Sequence, residues 1–229
     1  MELSDNLIKS HYTKNMIGIV DYDIGNLRSV QKALQHVGGE AAFVRTPQEI
    51  ARANALVLPG VGAFGDCVRS LAASGMWNDV LAWAKSERPF FGICVGYQML
   101  FESSEEAPGE KGLGVFTGQV RKFSGQHGLK IPQIGWNTVS VRQPKATLLE
   151  GIANGDFVYF VHSYYVAPQD PTLVALETTY GDTFAAAIAR GNLVATQFHP
   201  EKSQRAGLQM LKNFVALSAR TTASAALAH

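Results

Sequence analysis

Apolar runs alternate with segments of helical period through the first half of the chain. Met16–Asp21 (MIGIVD) predicts a first strand, apolar throughout as a strand buried on both faces must be. After the turn Asp23-Ile24-Gly25-Asn26, the residues Leu27, Val30, Leu34 and Val37 recur at helical spacing, and Gly38-Gly39 ends the helix. Ala41–Arg45 predicts a second strand. Thr46-Pro47-Gln48-Glu49 then reads as a capping box with proline at the first helical position. Ala55–Leu58 predicts a third strand, which runs into Pro59-Gly60-Val61-Gly62. Phe64–Ser74 and Trp77–Ser86 predict helices. The run Pro89–Ile93 predicts a buried strand, and Val95–Glu102 the helix that follows it.

The pattern changes in the second half. Gly114–Phe123, Gly135–Val141, Phe157–Val166 and Leu173–Thr179 are β-rich runs separated by glycine, proline or asparagine. Phe184–Ala189 and Leu193–Phe198 flank Arg190-Gly191-Asn192, which predicts a tight hairpin. A last helix, about Gln204–Ala219, carries Leu208, Leu211, Phe214, Val215 and Leu217 on its apolar side. The expected fold is α/β: one domain with a central, mostly parallel, flavodoxin-like sheet flanked by helices, and antiparallel strands in the second half. The domain is expected over residues 16–217, between a polar extension at 1–15 and a frayed Ala/Thr/Ser-rich tail at 218–229.

Composition narrows the function classes. The 229 residues are 46% hydrophobic and 17% charged, enough for a substantial core. A net charge of +1 without a long basic run argues against nucleic acid as the main partner. The two cysteines, Cys67 and Cys94, form neither a disulfide framework nor a zinc-ligand spacing, so a reducing compartment is expected. No apolar run is long enough for a membrane helix, and the first residues do not read as a signal peptide. The cytoplasm is the expected location, with no metal and no cofactor.

Chemistry concentrates at Phe91-Gly92-Ile93-Cys94-Val95-Gly96-Tyr97-Gln98. Cys94 falls at a strand-to-helix turn with glycines at minus two and plus two, the nucleophile-elbow pattern with cysteine for serine. That position puts the thiol at a helix N-terminus, where partial positive charge favours thiolate. A buried core cysteine is the bland alternative, and the glycine spacing tells against it. Six histidines could serve as its base. By position, His11, His36, His127 and His229 read as surface residues, leaving His162 and His199 at the ends of apolar strand runs. His199 is followed by Pro200 and Glu201. Proline holds the preceding residue extended, so imidazole and carboxylate at i and i+2 face one side. Cys94, His199 and Glu201 then form a candidate Cys–His–Glu triad.

A tetrahedral oxyanion needs preorganised N–H donors. Val95, just after the nucleophile, supplies one, and the loop Gly60-Val61-Gly62 at the end of a neighbouring strand is the expected second source. The same loop, extended to Gly65, spells G-x-G-x-x-G. As a dinucleotide fingerprint it follows the third strand rather than the first and lacks a well-placed acidic partner.

Taken in order, PGVG, GICVGYQ, VHSYY and QFHPEKS resemble the class I, triad-type glutamine amidotransferases. Asp21–Val30 and Gly135-Trp136-Asn137 narrow the resemblance to glutaminase subunits of imidazole glycerol phosphate synthase, and it covers about Met16 to Leu217. The resemblance implies that Cys94 attacks the glutamine carboxamide and that Val61, Gly62 and Val95 hold the oxyanion. It gives His199, oriented by Glu201, the proton transfers. It also implies that Gly60, Gln98, His162, Ser163 and Tyr164 help hold glutamine. The implied partner is a (βα)8-barrel cyclase that receives ammonia through a channel, with Asn26, Tyr159 and Lys202 at or near the interface. Glutaminase activity would then be low until the partner binds its ribonucleotide ligand. Tyr97 stands where that family more often has methionine and Asp23 where it often has glycine, departures that bear on the pocket rim or the interface. Three alternatives remain: a glutaminase subunit of another synthase, a stand-alone γ-glutamyl cysteine hydrolase, and a non-catalytic binding module. The intact triad speaks against the last.

Overall fold

The computed structural model describes residues 15–125 and 128–226. The expected extension before Asn15, together with His11, His127 and His229, lies outside the described residues. Strands β1 (Met16–Val20), β2 (Glu40–Val44), β3 (Ala55–Gly60) and β4 (Phe90–Cys94) alternate with α1 (Leu27–His36), α2 (Pro47–Arg52), α3 (Phe64–Ala73) and α4 (Trp77–Lys85). Helix α5 is the single turn Val95–Gln98. There follow β5 (Ser103–Ser104), β6 (Gly118–Lys122), β7 (Gln133–Thr138), β8 (Ser140–Val141), β9 (Phe157–His162), β10 (Tyr164–Pro168), β11 (Val174–Tyr180), β12 (Asp182–Arg190) and β13 (Leu193–Thr196). Helix α6 (Gln204–Ala226) ends the described chain.

The main sheet has the order β2-β1-β3-β4-β13-β12-β11-β8. Its first five strands are parallel, in the doubly wound order expected of a flavodoxin-like core, and β12, β11 and β8 add antiparallel strands at one edge. Strands β1, β3 and β4 are buried at every position because helices cover both faces. In α1 the buried side chains are Val30, Ala33 and Leu34; Gly38, at φ +88, closes the helix, and the Gly39 N–H returns to the Leu34 carbonyl. Thr46 caps α2 by accepting from the Glu49 N–H, while Glu49 accepts from the Arg45 N–H, one residue before the position a capping box uses.

Four sequence expectations need correction, the first being the run Gly135–Val141, which is divided between β7, paired with β9, and β8, at the edge of the main sheet. The helix after Cys94 was expected to reach Glu102 but ends after one turn. The Leu100 and Phe101 N–H groups return only three residues, to Tyr97 and Gln98, and the Glu102 N–H goes to the Gly118 carbonyl, while the carbonyls of Met99–Phe101 accept from Leu113–Phe116. The run Phe157–Val166 is two strands rather than one. It breaks at Ser163, so that β9 pairs antiparallel with β7 while β10 joins β6 and β5 in a separate sheet. The last helix continues past Ala219 to Ala226, because no glycine or proline interrupts a stretch rich in alanine, the best helix former.

Helix α6 lays Met210, Leu211 and Phe214 against the sheet, with Phe214 edge-on to Phe91 of β4 at 5.5 Å. Among the described residues no helix is long and apolar enough to cross a membrane. Phe214→Ala should lower stability by about 3–5 kcal/mol in urea unfolding, the usual cost of deleting a buried ring. A loss below about 1 kcal/mol would mean that α6 does not seal the strand that carries Cys94.

Candidate active site

Cys94 ends β4 with φ +54 and ψ −110, a conformation that costs a non-glycine residue about 1–3 kcal/mol and survives only where its surroundings impose it. The surroundings are glycines. A Cβ on Gly96 would stand 1.9 Å from the Leu58 carbonyl oxygen, and one on Gly60 would stand 2.6 Å from the Gly96 nitrogen. Gly60 lies opposite Cys94 in the β3–β4 register, so the two strand ends close on each other with backbone against backbone. This contact accounts for the first glycine of the G-x-G-x-x-G run. With α5 only one turn long, the positive charge opposite the sulfur is supplied by a side chain rather than by a helix terminus.

That side chain is His199. Its Nδ1 stands 2.9 Å from Glu201 Oε1, and the two side chains are 2% and 1% exposed. The Cys94 sulfur is the ring's other hydrogen-bonding partner. Burial alone would push this imidazole down, but hydrogen bonding to Cys94 and to Glu201 outweighs it and raises His199 to about 10. His199 is extended, as the following proline requires, and its carbonyl accepts from the Ser203 hydroxyl at 2.6 Å. Tyr159 holds the same corner, with its carbonyl accepting the His199 N–H and its N–H donating to Ser203 Oγ. A thiol beside an imidazole that a buried carboxylate orients can act as a nucleophile with its own base.

The sulfur, His199 and Val95 line a cleft of about 380 Å³ together with Val61, Gly62, Gln98, His162, Ser163, Tyr164 and Lys202. The α5 turn begins at Val95, so its N–H has no partner within the helix. Gln98 donates to the Tyr164 carbonyl at 3.0 Å and to Gln197 Oε1 at 3.1 Å, and Gln197 in turn points its Nε2 at the Cys94 sulfur, 3.9 Å away. His162 is buried against Phe123, Phe160 and Phe184. Its Nδ1 stands 2.8 Å from the Tyr164 carbonyl, and burial above all pushes it down to about 4. Its Nδ1 faces a carbonyl and so donates, while its Nε2 stands 3.0 Å from Gln133 Oε1, so a neutral ring takes the Gln133 amide turned to donate.

The family model described as Glutamine amidotransferase class-I matches residues 18–217. The chain belongs to that family. Among curated relatives it is 50% identical over 204 residues to the imidazole glycerol phosphate synthase subunit HisH of Syntrophotalea carbinolica, covering 87% of this chain and 98% of that one. To the HisH subunit of Thermosynechococcus vestitus it is 50% identical over 202 residues, covering 88% and 96%. A solved structure described as a glutamine amidotransferase superposes with a TM-score of 0.68 at 20% identity, covering 89% and 98% of the two chains, a likeness of fold.

Two residues of this amidotransferase site, one lining the cleft and one buried behind it, carried no sequence signal. Glu106 lines the cleft and accepts from the Phe64 N–H at 2.8 Å. It lies in the turn after β5, four residues beyond the expected end of the helix. Gln197 belongs to the QFHPEKS run, but only the sheet geometry turns it toward Cys94. Tyr97, expected to bear on the rim, is instead fully buried, with its hydroxyl 3.4 Å from the Ala185 carbonyl. Asp23 adopts φ +66, a left-handed conformation that glycine takes freely and aspartate tolerates. Asn26 is exposed at the start of α1, and Lys202 Nζ lies 6.0 Å from the Tyr159 ring.

The two buried histidines should titrate on opposite sides of neutrality. His199 lies above the free-imidazole value of 6.5, so its contribution to stability is present below 6.5 and lost as pH rises through about 10. His162 lies below it, so stability is lost as pH falls from 6.5 through about 4. Imidazole NMR should find His162 neutral and His199 charged throughout the neutral range. The reverse assignment would overturn this account of the site.

Proposed function

We propose that the chain is the glutaminase subunit of an imidazole glycerol phosphate synthase in histidine biosynthesis, working in the cytoplasm. The observation that carries the reading is the line Cys94–His199–Glu201 beside a cleft able to hold one amino acid. The Cys94 thiolate attacks the carboxamide carbon of glutamine, and the resulting oxyanion rests on N–H groups of the Val61/Gly62 loop and Val95. Charged His199 protonates the nitrogen as the C–N bond breaks, releasing ammonia and leaving a glutamyl thioester. Neutral His199 then takes a proton from water as the water attacks the thioester, and glutamate leaves with the thiolate restored. Glu201 holds the ring and supports its charged form. Each oxyanion donor contributes roughly 2.7–4 kcal/mol.

Substrate selection follows from the cleft's polar groups. Glu106 offers a carboxylate to the α-ammonium of glutamine. Gln98 braces the Tyr164 carbonyl, and Gly60 lets the loop approach the elbow. His162 is a neutral wall residue, with Ser163 and Tyr164 beside it.

The ammonia needs a consumer that keeps it from water. Ribbon β7–β9 presents one face bearing Ile134, Trp136 and Phe157, at 63%, 45% and 59% exposure, with Tyr159 packed edge-on to Trp136. Val161 on that face and Lys202 beside it also line the cleft. Apolar residues clustered beside a site's mouth mark an interface. We assign this face, with Asn26, Tyr159 and Lys202, to a (βα)8-barrel cyclase that takes ammonia directly from the cleft. A stand-alone γ-glutamyl hydrolase would have no use for such a face.

Glutamate release should be slow for the chain alone and should rise when the cyclase and its ribonucleotide are added. Cys94→Ala should abolish it while leaving partner affinity unchanged, and Glu201→Gln should reduce it less, since Glu201 orients rather than reacts. Fast turnover by the isolated chain would move the reading to an independent hydrolase. On the apolar face, Trp136→Ala should weaken cyclase binding by about 2 kcal/mol in titration calorimetry, as loss of a central aromatic anchor does. Unchanged affinity would place the interface elsewhere.

A further inference from the structure

Cys67 takes no part in the chemistry proposed above, yet it stands directly behind the loop that the proposed mechanism uses. It is fully buried on α3, and its sulfur lies 3.5 Å from the Val61 carbonyl oxygen. The Tyr22 hydroxyl beside it donates to the Pro59 carbonyl at 2.6 Å. Three residues along α3, on the same helix face, the Ser70 hydroxyl donates to the Tyr22 carbonyl at 2.6 Å. Thiol and phenol carry one hydrogen each; the thiol aims at the Val61 carbonyl in the loop, and the phenol at the Pro59 carbonyl, where β3 runs into it. Burial pushes the Cys67 thiol up to about 11, so the sulfur keeps its hydrogen at neutral pH.

The Val61 carbonyl and the Gly62 N–H share one peptide plane and point in opposite directions. With the carbonyl drawn in toward α3, the Gly62 N–H faces away from it, and Gly62 lines the cleft. Gly62 adopts φ +87, so the loop can hold this orientation without a side-chain clash. We propose that Cys67, with Tyr22, is a positioning residue for the glutaminase reaction, latching the back of the loop so that the Gly62 N–H is presented to the oxyanion. This rests on the reading that the loop supplies oxyanion donors.

The test uses the complex with the cyclase and compares the parent with Cys67→Ala, Cys67→Ser and Tyr22→Phe. Three quantities are read: glutamine kcat, glutamine KM, and the rate at which iodoacetamide alkylates Cys94. Alkylation displaces iodide at a saturated carbon and forms no oxyanion, so it reports the nucleophile without the loop. Cys67→Ala should lower kcat about tenfold or more, the scale of a misplaced catalytic group. Its KM should stay within about twofold of the parent and its alkylation rate should be unchanged. Cys67→Ser restores a donor and should recover most of the lost kcat. Tyr22→Phe should lower kcat in the same way, giving a second test should Cys67→Ala fail to fold. A parent-like kcat in Cys67→Ala or, if that variant does not fold, in Tyr22→Phe overturns the latch, as does a fall in alkylation in step with kcat, or no recovery in the serine variant. A parent that releases no glutamate fails the glutaminase reading and the latch together. An active parent with unaffected variants fails the latch alone.

Discussion

Everything at the cleft depends on how closely two strand ends approach. β3 and β4 run parallel into a contact where the peptide of Gly96 passes so near the Leu58 carbonyl that a single methyl group would overlap it. That approach forces Cys94 into its positive φ, lifts the thiol out of the strand plane and starts the one-turn α5. It also brings Gly60, and with it the Val61-Gly62 loop, alongside the sulfur. Nucleophile and the start of the loop are therefore placed by one backbone contact. The strain at Cys94 is small beside the burial of β3 and β4 on both faces, which is why the fold can hold it.

The polar groups are arranged in series from that contact. On one side, Glu201 and Cys94 flank His199 and hold its charge inside a nearly water-free corner, while Tyr159 and Ser203 fix the backbone of the same turn. On the other, Tyr164, Gln98 and Gln197 form a line of amides that ends at the sulfur. Both lines cross between separate sheets. Tyr159 lies on the β7–β9 ribbon and Tyr164 on β10, so the break at Ser163 is what lets one chain segment serve both sides of the cleft. His162, at the end of β9, is buried among aromatic rings and kept neutral. Two histidines in one cleft are thus shifted in opposite directions, and the difference is carboxylate and sulfur against phenyl rings.

Most of the parallel half was legible in the sequence, because strands buried on both faces read as unbroken apolar runs and helices announce themselves through spacing and caps. Cys94 and the His199-Pro200-Glu201 run were legible for the same local reason: glycines at fixed offsets, and a proline that fixes one residue's backbone. What escaped depended on contacts distant in sequence. The apolar alternation runs through Ser163 without a mark, since the break comes from pairing with different partners. Val95–Glu102 has ordinary helical spacing, and only pairing with the distant Leu113–Gly118 segment, which takes the Glu102 N–H and the Met99–Phe101 carbonyls, ends the helix early. Glu106 and Gln197 look like any surface carboxylate or strand amide until the fold brings one to the cleft and the other to the sulfur.

The Tyr22–Cys67 pair extends that argument to the far side of the loop. A loop rich in glycine gains freedom to approach the elbow but loses the side chains that would otherwise set its peptide planes. Orientation must then come from outside, and the carbonyls are the available handles. Donors with one hydrogen and no charge suit the task, since they fix a carbonyl's direction without placing a charge near the sulfur. Burial raises both the phenol and the thiol and so keeps both hydrogens in place. An apolar replacement at either position would fill the space and leave the peptide plane undirected. The backbone contact that sets the distance between loop and nucleophile cannot also set the loop's orientation, which makes helix α3, through Cys67 and Ser70, a part of the site's geometry.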